Sequence, residues 1–169
     1  MSYVERHLIA GEQVVFQTKH HWIVMLGTLL LGILLDAAGM VAIAYLVNRQ
    51  DLDSGTRKAG MIAAALAIIT GSALIIWGVL KRNATEMVVT NKRVIVKTGI
   101  VTRRTFEMLL SRIESIGIEE PAWGRILGYG TVILRGVGGT PDEFDLIAKP
   151  LAFRSYVQEQ IAAAGGNPN

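Results

Sequence analysis

Two long apolar segments dominate the first half of the chain. Residues 22–47 form a nearly continuous apolar run that contains one charge, Asp36, and residues 60–80 form a second run without any charge. An α-helix needs about 20 apolar residues to cross the hydrocarbon core of a bilayer, because it rises about 1.5 Å per residue. Both segments reach this length. The pattern therefore predicts two transmembrane helices rather than a buried hairpin of a soluble protein.

The segment between the two runs, residues 48–58, is short and polar. Two helices joined in this way form an antiparallel hairpin, so both ends of the chain lie on the same side of the membrane. More basic residues flank the apolar runs on that side than lie in the linker. Because basic flanks are typically cytoplasmic, we expect a multi-pass protein of the cell membrane with both termini in the cytoplasm.

The second half of the chain has the pattern of a small β-rich domain, predicted over residues 84–164. Short alternating or β-branched stretches at residues 86–90, 93–98, 100–107, 113–119 and 131–135 predict strands. Pro121 opens a helical turn that Gly128 ends, and Pro150 opens a last helix that runs to about Ala164. We expect residues 1–21 to form an N-terminal amphipathic arm, which lies on the membrane surface or packs on the β-rich domain, and residues 165–169 to form a disordered tail.

Several short motifs in this region resemble the bacterial PH-domain family. They are T-N-K-R-V-I-V-K-T-G at residues 90–99, R-R-T-F-E at 103–107, S-R-I-E-S-I at 111–116, G-R-I-L-G-Y-G-T-V at 124–132 and R-G-V-G-G-T at 135–140. The resemblance implies a PH-like split barrel capped by a C-terminal α-helix, attached to a membrane helical hairpin. It implies no particular ligand, since one fold hosts many functions.

Basic residues are concentrated just after the second apolar run. Residues 81–112 carry eight basic and two acidic side chains. The candidate contact surface for anionic lipid of the inner leaflet, or for a protein partner, consists of Lys92, Arg93, Lys97, Arg103 and Arg104. A solvated cationic strand pair is the alternative interpretation. The run is short and lacks interleaved aromatic residues, which disfavours nucleic acid as a partner.

The second apolar run contains small residues at every fourth position, namely Ala63, Ala67 and Gly71. Such spacing places them on one helix face, where a neighbouring backbone can approach closely. We expect a helix-packing seam on this face, either within the hairpin or in a homo-oligomer.

Asp36 is the polar outlier of the first apolar run. A carboxylate in a membrane is costly, at about 2.5–3.5 kcal/mol on insertion scales, and is therefore a candidate functional group. One interpretation is a protonated side chain that hydrogen-bonds to Thr70 or Ser72 at similar depth. The other is a proton-coupled or accessory component of a transport system.

The chain offers no pattern for catalysis or for cofactor binding. It has no cysteine, which excludes disulfides and thiolate chemistry, and no serine of the β-rich region has a histidine in the same region. The Gly-rich stretch at 136–140 lacks the lysine of a phosphate-binding loop. We expect a non-enzymatic binding or scaffolding module without cofactors, with lipids and proteins or further copies as partners.

Overall fold

The computed structural model describes residues 8–49, 52–102 and 104–165. The chain divides into two compact units. One is the segment Trp22–Lys81, and the other combines the described residues that precede and follow this segment. The two units are called here the hairpin and the β domain.

The hairpin consists of two helices, α1 (Ile23–Asn48) and α2 (Ser54–Asn83). Both are long and apolar enough to cross a membrane, with a mean hydropathy of 2.2 in their most apolar window. Only 11% of each window is buried. A core helix of a soluble protein would bury most of these side chains, whereas lipid-facing helices leave them on the surface.

Helix α2 begins earlier than its apolar run. The Asp53 carboxylate accepts hydrogen bonds from the backbone N–H groups of Gly55 and Thr56, at 2.9 and 3.2 Å. Such a cap satisfies N–H groups that have no partner inside the helix. The polar residues 54–58, expected in the linker, therefore form the first turn of α2.

The β domain holds two antiparallel sheets and a closing helix. The first sheet has the strand order β1-β2-β3-β4 and the second has the order β5-β6-β7. The strands are β1 (Val14–Lys19), β2 (Glu86–Thr90), β3 (Arg93–Thr98), β4 (Arg104–Leu109), β5 (Ile113–Glu119), β6 (Tyr129–Gly136) and β7 (Asp142–Ala148). Helix α3 (Ala122–Leu127) lies between β5 and β6, and α4 (Pro150–Gly165) follows β7. This architecture agrees with the predicted split barrel and its C-terminal helix.

One apolar core joins the two sheets and α4. Val94 and Val96 of β3 alternate into this core, and Leu134 of β6 enters it from the second sheet. Phe153 and Val157, one helical turn apart on α4, complete it, and all five side chains are fully buried. The core thus depends on strands from both sheets and on the last helix of the chain.

Part of the predicted N-terminal arm is a strand of the β domain. Strand β1 pairs with β2 from Val14 opposite Thr90 to Lys19 opposite Glu86. Phe16 of β1 packs against the core and stacks on Tyr156 of α4, with ring centroids 4.7 Å apart. The hairpin is therefore inserted between the first two strands of one sheet. The predicted arm residues 1–7 and tail residues 166–169 lie outside the described part of the chain.

Strand β4, predicted over residues 100–107, begins later than its β-branched sequence indicated. Thr98 pairs with Arg104, and the described residues between them, 99–102, form a loop, here called the β3–β4 loop. Gly99 enters it with a φ of 99°, and Val101 is 87% exposed. Ile100 and Val101 have strand propensity, but neither pairs with a strand in the part of the chain that the structure describes.

If β1 completes the β domain, the hairpin can be removed without unfolding it. We expect a variant that joins His21 to Arg82 through a short glycine–serine linker to stay in solution without detergent. Its thermal unfolding, followed by circular dichroism, should be one cooperative transition, because every strand pair is retained. A chain that starts at Arg82 lacks β1 and should show no such transition. Equal behaviour of the two chains would contradict this role of β1.

Candidate functional site

Arg93 lies on the outer face of the first sheet between two carboxylates. Its Nε and Nη2 atoms donate to the two oxygens of Glu12 at 2.9 and 3.0 Å, and its Nη1 atom donates to Glu107 at 2.6 Å. The Glu12 carboxylate also accepts hydrogen bonds from the Thr90 hydroxyl and the Ile9 backbone N–H, both at 2.8 Å. The Glu12 side chain is fully buried. Its charge is thus compensated by a bidentate guanidinium and two further donors.

The pKa values of this pair follow from the geometry. Burial by itself would raise the pKa of Glu12, but the hydrogen bonds from Arg93, Ile9 and Thr90 outweigh it and hold the pKa below its ordinary value. The hydrogen bond to Glu12 raises the pKa of Arg93, against the opposing effect of burial. Both groups are charged at neutral pH, and each stabilises the charge of the other.

The segment 8–13, here called the strap, covers this outer face. Lys92 Nζ donates to the Ala10 carbonyl at 2.9 Å, and the Asn91 side chain donates to the Gly11 carbonyl at 3.1 Å. Leu8 packs on the buried outer-face side chains of Val88 and Ile95. Lys92 and Arg93, expected to contact lipid or a partner, therefore bind the protein's own N-terminal segment.

The other predicted basic residues lie at the opposite end of the same strands. Lys97 is half-buried, opposite Glu86 in the neighbouring strand, and Arg104 is exposed at the start of β4. Arg103 lies outside the described residues. The four predicted basic residues that the structure describes therefore do not form one cluster.

The β domain has two ends that differ in their connections. At one, called the attached end, the chain leaves β1 for α1 and returns from α2 to β2. The paired residues Lys19 and Glu86 mark this end, and His20 bridges to Ile147 of β7. Antiparallel pairing then assigns to the attached end the β3–β4 loop, helix α3 and the junction of β7 with α4. The opposite end, called the far end, carries the β2–β3 and β6–β7 turns.

His21, the residue before the hairpin segment, packs against β6 and β7 at the attached end. Its backbone N–H donates to the Leu146 carbonyl at 2.8 Å, and its ring lies 5.3 Å from the ring of Tyr129. Burial lowers the pKa of His21, a hydrogen bond to the Leu127 backbone partly opposes that effect, and the charge of Arg82 adds to it. The residue before the hairpin is thus packed into the β domain.

Small residues also form a seam inside the hairpin, but at a different spacing from the one predicted. Ala64, Gly71 and Gly78 are buried on α2, as are Gly32 and Gly39 on α1. These positions recur every seven residues, which keeps a stripe on one side of a helix better than a four-residue step does. A Cβ atom at Gly71 would lie 2.6 Å from the Gly32 carbonyl oxygen.

Only part of the predicted seam takes part in this packing. Gly71 is buried in it, whereas Ala67 is half-buried and Ala63 is exposed. Ala63 and Ala67 line an open apolar groove of about 400 Å³ on the hairpin, together with Tyr45 and Gly60.

Asp36 lies against the same seam. The Ser72 hydroxyl donates to its Oδ2 atom at 3.4 Å, and its Oδ1 atom is buried without a hydrogen bond from the described residues. Thr70, the other predicted partner, is exposed. Of the two expected contacts, the one with Ser72 is present.

A comparison with known protein families identifies the family to which this architecture belongs. The family model of the bacterial PH domain matches residues 23–164, most of the chain. The chain belongs to the bacterial PH domain family. No curated protein and no solved structure matches it. Domains of this type are generally non-catalytic binding modules for lipids or proteins.

Two motifs that suggested the bacterial PH domain have structural roles here. T-N-K-R at 90–93 forms the turn that binds the strap, and G-R-I-L-G at 124–128 forms α3 with its stop. Gly128 adopts a φ of 80°, which glycine favours, and its N–H donates to the Gly124 carbonyl at 2.7 Å. The contacts of Glu12 and His21 were not predicted from the sequence. The alternation in β1 was a signal for a strand, but its partner lies beyond the hairpin.

Neutralising Glu12 tests how much the strap contributes to the stability of the β domain. Glu12→Gln keeps the shape but removes the charge, and hydrogen bonds to charged groups contribute about 1.5–3 kcal/mol. We expect the thermal midpoint of the β domain to fall by on the order of 10 °C at pH 7. Because the folded pKa of Glu12 is lowered, the stabilisation is complete above the unfolded pKa of about 4.3 and is lost as the pH falls through the folded value. The difference from the wild type should therefore disappear in acid.

Glu107→Gln is the matched control, since the Glu107 carboxylate pairs with the same Arg93 but is 46% exposed. Exposed ion pairs contribute about 0–1 kcal/mol. Equal losses from both variants would contradict a special role for Glu12.

The seam of the hairpin is tested by Gly71→Ala. The added methyl group meets the Asp36 carboxylate and the Gly32 carbonyl, and overpacking of this kind costs about 1–3 kcal/mol. We expect the midpoint of unfolding in a titration with denaturing detergent, followed by helical circular dichroism, to fall. Gly27→Ala on α1 is the control, because nothing lies within 4 Å of its added Cβ atom. An unchanged midpoint for Gly71→Ala would mean that α1 and α2 do not pack in this way.

Proposed function

We propose that this bacterial PH domain is a membrane-anchored, non-enzymatic binding module that contacts the cytoplasmic surface of the cell membrane. The observation that carries the proposal is the insertion of the apolar hairpin between β1 and β2. A hairpin appended to one terminus would leave the domain on a single tether. An insertion joins it to the membrane helices through two neighbouring strands.

The two connections are short. Residues 20–22 separate β1 from α1, and residues 84–85 separate α2 from β2. Three residues span at most about 10 Å even when fully extended. If the hairpin crosses the membrane, the attached end of the domain therefore stays next to the lipid headgroups.

The chemistry of the attached end supports contact with anionic lipid. Lys19 at the end of β1 and Arg104 at the start of β4 are exposed there. Lys97 is on β3, which lies between these two strands in the first sheet. Val101, at 87% exposure, projects from the loop beside Arg104. Each basic residue near an anionic leaflet contributes about 1 kcal/mol to membrane association. The contact depends on charge and does not require a pocket for one headgroup.

Transport through Asp36 is less well supported. Asp36 is the one acidic side chain of α1 and α2, and the basic residues of these helices lie near their ends. In the described residues no three His, Cys, Asp or Glu side chains lie close enough together to hold a metal ion. A proton or ion path needs further groups along it, so we favour a structural role for the Asp36–Ser72 contact.

The lipid contact can be measured at one labelled position. The chain has no cysteine, so Val101→Cys provides a single site for an environment-sensitive dye on the full-length protein. In nanodiscs of anionic lipid, we expect the dye to be shielded from an aqueous quencher. The shielding should weaken in neutral nanodiscs, at high salt and in Lys19→Glu/Arg104→Glu, because these changes remove the electrostatic attraction.

Two controls belong to this experiment. Arg112→Glu/Arg135→Glu makes the same change of charge on exposed residues at the far end and should leave the shielding unchanged. A dye at Val137→Cys, in the β6–β7 turn, should be accessible in every nanodisc. A dye at position 101 that is as accessible as the one at 137 would contradict the proposal.

A further inference from the structure

Helix α3 carries an apolar ridge on the surface of the β domain. Trp123, Ile126 and Leu127, here called the ridge, are 69%, 74% and 39% exposed. Their spacing of three and four residues places them on one side of the helix. In a soluble domain such residues would normally be covered, and a cluster that includes tryptophan indicates a binding surface.

The exposure of the ridge does not arise from a loose attachment of α3. Gly124 is buried on the inner side of the helix, where a Cβ atom would meet the Tyr129 carbonyl oxygen. At the end of the helix, the Lys149 backbone N–H donates to the Gly128 carbonyl at 2.9 Å. The backbone of α3 is thus fixed to β6 and to the start of α4, and its large apolar side chains project outward.

The position of the ridge indicates what covers it. The ring of His21 donates a hydrogen bond to the Leu127 backbone and lies 5.3 Å from the ring of Tyr129, and α1 begins two residues after His21, at Ile23. The ridge therefore lies at the attached end, beside the point at which the chain enters its first apolar helix. Val101, the most exposed of the large apolar side chains in the described residues, is at the same end.

We propose that the ridge is inserted into the interfacial layer of the lipid bilayer, with Trp123 and Ile126 at the boundary between headgroups and acyl chains. The inference rests on the proposed function, which brings the attached end to the membrane, and adds a second kind of contact to it. Tryptophan favours this depth because its ring is apolar and its N–H remains hydrated. Arg125, exposed on the same short helix, can meet lipid phosphates.

Insertion of the ridge differs from the electrostatic contact in its dependence on lipid charge and on salt. Insertion of apolar side chains does not require anionic lipid and persists at high salt, because it removes apolar surface from water. The basic residues near Val101 favour approach to an anionic leaflet, whereas the ridge fixes which part of the domain faces the bilayer. Together they orient the domain rather than only tether it.

Tryptophan fluorescence of the full-length protein in nanodiscs tests the insertion. The chain has three tryptophans, so Trp22→Phe/Trp77→Phe leaves Trp123 as the single emitter. With lipids brominated near the top of the acyl chain, we expect strong quenching of Trp123, unchanged by high salt, and weak quenching by aqueous iodide. The control carries Val137→Trp and Trp123→Phe in the same background. Its emitter lies at the far end and should be quenched by iodide alone.

The inference is overturned if Trp123 behaves like the control tryptophan, with quenching by iodide and none by brominated lipid. The dye at position 101 then separates two cases. If that dye is still shielded in anionic nanodiscs, the proposed function stands and the ridge is not in the bilayer. If it is accessible too, both fail. Circular dichroism of each variant establishes that the comparison is between folded proteins.

Discussion

The pairing of β1 with β2 is the contact on which the rest of the β domain depends. It joins two strands that are separated in sequence by the whole hairpin, with Lys19 opposite Glu86. Without β1, the edge of β2 would present unpaired backbone groups. The stacking of Phe16 on Tyr156 would be lost as well, so α4 would lose part of its packing. The strap directly precedes β1, and its Glu12 reaches Arg93 because that strand is in place.

The hairpin reduces the entropic cost of so distant a pairing. The cost of closing a loop grows with its length, although only by about 0.6 kcal/mol per doubling. Here the loop is a packed pair of helices, in which Gly78 near the end of α2 lies against Thr28 near the start of α1. The ends of the hairpin are therefore already close when the strands pair. Close packing at the glycine seam and pairing of the strands support each other.

The sequence predicted those features that depend on local patterns. The two apolar helices, most strands, the stop of α3 at Gly128 and the closing helix from Pro150 are present as expected. Features that depend on distant residues were not predicted. The extended part of the N-terminal arm was predicted, but its pairing with β2 was not, because β2 lies beyond the hairpin. The seven-residue spacing of Ala64, Gly71 and Gly78 depends on how α2 packs against α1, which the sequence of α2 alone does not reveal.

The basic residues show why a cluster in sequence is not a cluster in space. Arg93 and Arg104 belong to one β-hairpin, but a strand rises about 3.3 Å per residue, so the six residues of β3 separate them by roughly 16 Å. Arg93 at the far end is occupied by the buried Glu12, while Arg104 at the attached end is exposed. Pairing with Glu12 and Glu107 thus occupies Arg93 inside the protein, so it does not act as a surface cation. On our proposal, the exposed basic residues of the first sheet and the ridge then act at the same end, and the orientation of the domain on a membrane follows from its strand topology.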